Sequence, residues 1–378
     1  MSKRIHRNHR MSRRDFLKVG LAGSSALLAA SACAPTCIPA APSSSPTPAP
    51  AKAYVSVVEI TNGIPSAVEE AIRLLGGLER VLGGARKIML KPNLVSDNSN
   101  CTTNPEVVGC LAHMMKENSI TGIHRTVSIG EGSAAAGGYN VTGTGVCITH
   151  DDDMLNGMQD YVFEALGYKN LAQSMSLPLV NLHTGPMASV HVPGGLAYEQ
   201  LTIHKSLTEI DLLVSVPMMK THYMASVSLG MKNLIGLYPG SEYGTIRHSV
   251  HEKAYKAGSE GIAFETIDMV RANKLGLVVI DASTAMEGNG PSSGDPVAMN
   301  MIIAGTNPLA TDMIGAYLMG YCPDEIPTFV WAHRAGLQPQ SLNDIVVRGL
   351  DITKARRLFK RPDMHTWPDE SGTYSPCP

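Results

Sequence analysis

From residue 53 onward the chain alternates short β-branched apolar runs with longer stretches of helical period. The runs at 54–60, 87–92, 125–132, 177–182, 200–205, 211–217, 275–282, 297–305 and 344–349 predict strands. Between them, 66–82, 105–118, 153–175, 259–274 and 307–320 place apolar residues at helical spacing. Strands alternating with crossover-length helices predict an α/β fold with a largely parallel sheet flanked by helices. Ligands in such folds gather at the carboxyl ends of strands. The loops at 91–93, 130–132, 217–222, 280–296 and 304–308 should therefore converge.

The polar residues of those loops are the candidate chemistry. KPNLVSDNSNCTTNPEVV leads from a strand into a helix with Asn104 as N-cap and Pro105 at its first position, which suits an anion held near Lys91 and Asn93. GEGS places Gly130, Glu131 and Gly132 at a strand end. Ala135 stands where a dinucleotide fingerprint needs its last glycine. Asp281 and Asn307 belong to the same rim.

The stretch KTHYMASVSLGMKNLIG, 220–236, puts Lys220 and His222 at a strand exit. If 224–235 is helical, Met224, Val227, Met231, Leu234 and Ile235 form one apolar stripe, with Lys232 at its border and Asn233 beside it. A lysine against an apolar face can lose its proton and serve as a base or a covalent attachment point. The residues alone leave open whether His222 and Lys232 are functional or ordinary surface groups.

Other chemistries lack their patterns. A net charge of −2, with no Lys/Arg run in the body, speaks against nucleic acid as a partner. P-loop, G-x-S-x-G and H-E-x-x-H motifs are absent. The acids of HDDD, 150–153, read as complements to a helix dipole rather than as a cation site. Seven cysteines form no C-x-x-C pair, so no iron-sulfur cluster motif is present, and no disulfide framework is expected.

The N-terminus is built differently. Six basic residues and no acid fill the first 14 positions, and a weakly apolar Gly/Ala-rich segment runs to Ala32. SRRDFLK resembles a twin-arginine signal, with Arg13 and Arg14 followed by Phe16, Leu17 and Lys18. Residues 1–33 are thus expected to be a signal peptide read by the twin-arginine translocase, giving export to the periplasm or cell surface. Cys33, after Ala30-Ser31-Ala32, is a candidate lipidation site that would anchor the protein to a membrane, although this box usually carries leucine at the position of Ala30. Residues 34–53 read as a Pro/Ala/Ser-rich linker, 54–350 as the folded domain, and 351–378 as a partly disordered tail.

The succession KPNLV, GEGS, VPMMKTHYMASVSLGMKNLIGLYPG, VVIDASTAMEGNGPSSGDP and IIAGTNPLATDMIGAYLMG resembles the domain of unknown function 362 family over about 54–350. His222, Lys232 and His248 also repeat a spacing similar to that of the nickel-pincer lactate racemase superfamily. That likeness implies a cofactor anchor at Lys232, an acid or base at His222 and a metal ligand at His248, with nickel, iron or a nucleotide-derived cofactor as candidates. VSLGMKN replaces that superfamily's glycine-rich phrase, and GEGS lacks the histidine expected there. The function these readings imply is proton-transfer or redox chemistry on a small anionic ligand. The alternative is a non-catalytic lipoprotein that binds a solute or partner.

Overall fold

The computed structural model describes residues 52–363 apart from 118–122, 140, 143–144 and 258. The signal peptide, Cys33, nearly all of the linker and residues 364–378 lie outside the described residues. Among the described residues, no helix is long and apolar enough to cross a membrane.

Ten strands form the main sheet. They are β1 (Ala53–Glu59), β2 (Lys87–Pro92), β3 (Thr126–Glu131), β4 (Leu179–Asn181), β5 (Leu212–Val216), β6 (Met218–His222), β7 (Ser226–Ser228), β8 (Leu275–Glu287), β9 (Asp295–Gly305) and β10 (Ile345–Gly349). Their order is β10-β1-β9-β8-β5-β2-β3-β4, with β6 beside the distal part of β8 and β7 folded back on β6. Strands β8, β5, β2, β3 and β4 run parallel, whereas β9 is antiparallel to both of its neighbours. The expected α/β architecture is therefore present. The run at 200–205 is a strand, Gln200–His204, but it pairs with Met187–His191 in a separate ribbon.

Strand β8 spans 13 residues and is shared by two partners. Its first part pairs with β5, and its later part pairs with β6 through Met218↔Asp281 and Lys220↔Met286. Pro217, which has no N–H to give a ladder, separates β5 from β6. Its carbonyl accepts from Asp281 N at 2.8 Å, so the chain steps along β8 without leaving it. This extension carries Lys220 and His222 beyond the point where β2 and β3 end.

Helices α1 (Ile64–Leu74), α2 (Leu78–Leu82), α3 (Pro105–Glu117), α4 (Asp152–Ala165) and α5 (Tyr168–Met175) are followed by the short α6 (Gly230–Asn233). Then come α7 (His248–Ala257), α8 (Ser259–Ala272), α9 (Pro308–Leu318) and α10 (Pro327–Arg334). Gly76 and Gly77, at φ 105° and 88°, divide the single helix expected over 66–82. Gly167 likewise divides the one expected over 153–175. Asp151 caps α4 by accepting from Met154 N, as the plainer reading of HDDD requires.

One core packs α1, α3 and α4 on the sheet through Ile72, Leu111 and Val162. The other face holds α9 and α10 through Met313, Ile314 and Phe329. Along β2, Ile88 and Leu90 join the first core while Met89 joins a third cluster with Leu234, Ile235 and Tyr238. The alternation sends Lys91 to the same side as Met89, facing the segment that carries Lys232. The first part of the tail, as far as Asp363, packs on the body. Phe359 is buried in the second core, and Asp363 exchanges hydrogen bonds with Asn289. No disulfide framework was expected; Cys147 is disulfide-bonded, and among the described residues Cys101, Cys110 and Cys322 are free thiols. Spacing alone does not report a bridge.

Candidate anion-binding cavity

The strand ends enclose a cavity of about 280 Å³. Lys91, Asn93, Glu131 and Gly132 line it from β2 and β3, Lys220 and His222 from β6, and Lys232 and Asn233 from α6. Eight of the residues singled out from the sequence therefore meet at one place.

The cavity floor is an ion pair with every contact in use. Lys91 Nζ lies 2.7 Å from Glu131 Oε1 and 2.8 Å from Oε2, and also donates to Pro92 O and Asn233 Oδ1. Glu131 further accepts from Leu94 N and Gly132 N, both at 2.8 Å. Burial lowers the Lys91 pKa, and the Glu131 carboxylate opposes that shift. Of the three roles open to a strand-end glutamate, acid, base or hydrogen-bond acceptor, Glu131 shows the last here, with its oxygens accepting from Lys91 and the two loop amides. Asn233 adds a brace by donating to Lys91 O and Ser215 Oγ, both at 3.0 Å. Gly236 covers the pair so closely that a Cβ there would stand 2.5 Å from Glu131 Oε1 and 2.6 Å from Lys91 Nζ.

The segment 224–235 is not one helix. After β6 the chain turns at Tyr223–Ala225, forms β7, and only then enters α6 and a 3-10 turn, Leu234–Leu237. An alternation of small and apolar residues satisfies either period, and pairing with β6 selects the strand. Asp312 on α9 caps α6, accepting from Gly230 N and Met231 N at 2.7 Å each. Burial raises the Asp312 pKa to about 7.

Three further cations surround the space. Lys220 donates to Asn93 Oδ1 at 2.8 Å and to Cys101 O at 2.7 Å, and burial lowers its pKa to about 8. Lys232 is 9% exposed, and its amine makes no hydrogen bond to the described residues. Burial, reinforced by Lys220, Arg247 and Lys91, lowers its pKa to about 7. Arg247 donates to the carbonyls of Gly132, Ser133, Ile235 and Gly236 and to no carboxylate. It follows Ile246, and the two residues have φ 59° and 53°. A β-branched residue in the left-handed region is strained, and such strain collects at functional sites.

His222 Nδ1 accepts from Met224 N at 3.1 Å and Ala225 N at 3.3 Å, so the proton of the neutral ring sits on Nε2.

Four sequence candidates lie elsewhere. Gly130 packs under Met89, outside the lining. Asp281 binds Ser283 and Asn104 N in a separate recess. Asn307 caps α9, because β9 runs antiparallel and its carboxyl end leaves the opposite edge of the sheet. His248 opens α7 but does not line the cavity, and the wall is instead formed by His251, one turn further on. Nor do the described residues bring three His, Cys, Asp or Glu side chains together as a metal site.

The family described as a domain of unknown function, DUF362, matches residues 88–317. The chain belongs to the DUF362 family. Every cavity residue named above falls within that match. A thylakoid-associated protein of Synechocystis sp. is 26% identical over 268 residues, covering 70% of this DUF362 chain and 73% of that protein. The lactate racemase apoprotein from Thermoanaerobacterium thermosaccharolyticum superposes at a TM-score of 0.44 and 15% identity over 71% of this chain. This chain spans 57% of the racemase's length. A Thermotoga maritima protein superposes at 0.36 and 13% identity, covering 76% of this chain and 60% of that one. Likeness at that level carries nothing about chemistry.

Sequence reasoning missed Arg247 and His251. His248 and His251 share one face of α7, but no sequence pattern shows that the turn before that helix folds back over Gly132.

Proposed function

We propose that this cavity binds a small organic anion, a carboxylate or phosphate ester, and that the Lys232 amine acts on it as a base or nucleophile. One observation carries the reading: an amine with a pKa of about 7 and no hydrogen bond to the described residues sits in a cavity whose single carboxylate among those residues is already taken by Lys91. Lys220 and Arg247 supply the field for an anion, and Lys232 retains a neutral form near physiological pH.

Pyridoxal 5′-phosphate, an anionic aldehyde, tests this directly. The lysine nitrogen adds to the aldehyde carbon, water leaves, and borohydride delivers hydride to the imine. Mass spectrometry is expected to find the adduct on Lys232, with inorganic pyrophosphate suppressing it and Lys232→Met abolishing it. Adducts confined to exposed lysines such as Lys354, with Lys232 unmodified, would refute the reading.

The twin-arginine pair supports a further part of the proposal, that the folded domain is exported. Lysine at both Arg13 and Arg14 is expected to retain the full-length precursor in the cytoplasmic fraction. Unchanged fractionation would remove that part.

A further inference from the structure

The residues that line the cavity sort by depth. Its cations, Lys91, Lys220, Lys232 and Arg247, are each 9% exposed or less and form the floor. The half-buried lining residues include Val95, Ala135, Tyr223, Met224, Ile246 and Pro291, all but the tyrosine without a polar side-chain atom, and these stand nearer solvent as a rim. Single apolar residues at a surface need no explanation, but six around the mouth of one charged cavity do.

The rim is built by loops tied to one another through their backbones. Ala134 N and Ala135 N both donate to Val95 O, at 3.0 and 3.2 Å, and Tyr223 N donates to Gly290 O at 3.1 Å, beside Pro291. Ser96, the polar residue next to Val95, has its hydroxyl 3.3 Å from Cys101 Sγ. Ile246 and Arg247 are adjacent residues of one strained turn, which thereby supplies an apolar residue to the rim and a cation to the floor.

The space is also larger than a charged group alone requires. A cavity of about 280 Å³ has the room of about nine waters at ~30 Å³ each, close to the lower bound of about 300 Å³ for pockets that take whole organic ligands. We propose that the ligand is an amphipathic organic anion, with its phosphate or carboxylate against the buried cations and an apolar body held by the rim. The inference rests on the anion-binding reading above and narrows its ligand class. The floor holds the charge, and the rim selects what the charge is attached to.

The test is calorimetric titration of the full-length protein with methyl, butyl and hexyl phosphate, which carry the same charged group. A fully buried methylene is worth roughly fourfold in affinity, so on a half-buried rim affinity should rise about twofold per methylene. Glycerol phosphate, close to butyl phosphate in size but polar, should bind no better than methyl phosphate. Met224→Gln and Val95→Thr should each flatten the series, and either one carries this arm if the other does not fold. Binding of inorganic pyrophosphate together with a flat or absent alkyl series overturns this inference alone, as does a rise equally steep in both variants. Binding of neither pyrophosphate nor any alkyl phosphate overturns it together with the function proposed above.

Discussion

Glu131→Ala is expected to destabilise the protein by about 3–5 kcal/mol, the range for breaking one side of a buried ion pair. The variant would leave the Lys91 ammonium buried, with only Pro92 O and Asn233 Oδ1 to receive its protons. It would also free two loop amides, Leu94 N and Gly132 N, with no replacement acceptor. Lys91, already lowered in pKa by burial, would then be driven further toward the neutral amine. Urea denaturation of parent and variant measures the loss. The double variant Lys91→Met with Glu131→Gln should recover part of it, because partners in one network are not additive. A loss below about 1 kcal/mol would show that the pair is not the keystone of the strand ends.

The second expectation concerns pH. Lys232 and Lys220 have pKa values of about 7 and about 8 in the folded protein, below the usual lysine value because burial disfavours their charge. An anion placed against them favours the charged form and raises both values, so binding takes up protons from solution. Affinity for inorganic pyrophosphate should therefore be greatest below pH 7 and fall by about tenfold per pH unit above it, more steeply above pH 8. Calorimetry in buffers of different ionisation enthalpy reads the proton uptake directly. Lys232→Met should remove the part of the dependence that begins near pH 7 and leave the part near pH 8. An affinity constant from pH 6 to 9 would mean that neither amine meets the anion.

Much of this arrangement was legible before any coordinates. The strand runs and the strand-end rule brought together Lys91, Glu131, Lys220 and His222, because a parallel sheet delivers successive exits to one edge. The same rule failed for Asn307, since an apolar run does not show that β9 is antiparallel. It failed differently at Asp281, where the strand continues five residues past its expected end at 282 and the carboxylate caps local amides. Arg247 was beyond reach. It depends on left-handed backbone at two non-glycine residues, which no propensity anticipates.

Arg247 has a further consequence for selectivity. Carbonyl groups occupy four of its five N–H donors, so the guanidinium has little left for shaping itself around a guest. It attracts by long-range potential, which draws in a phosphate and a carboxylate alike. Discrimination among anions must then fall chiefly to Lys232, whose amine makes no hydrogen bond to the described residues and remains able to aim, since Lys220 already gives two of its three donors to Asn93 and Cys101.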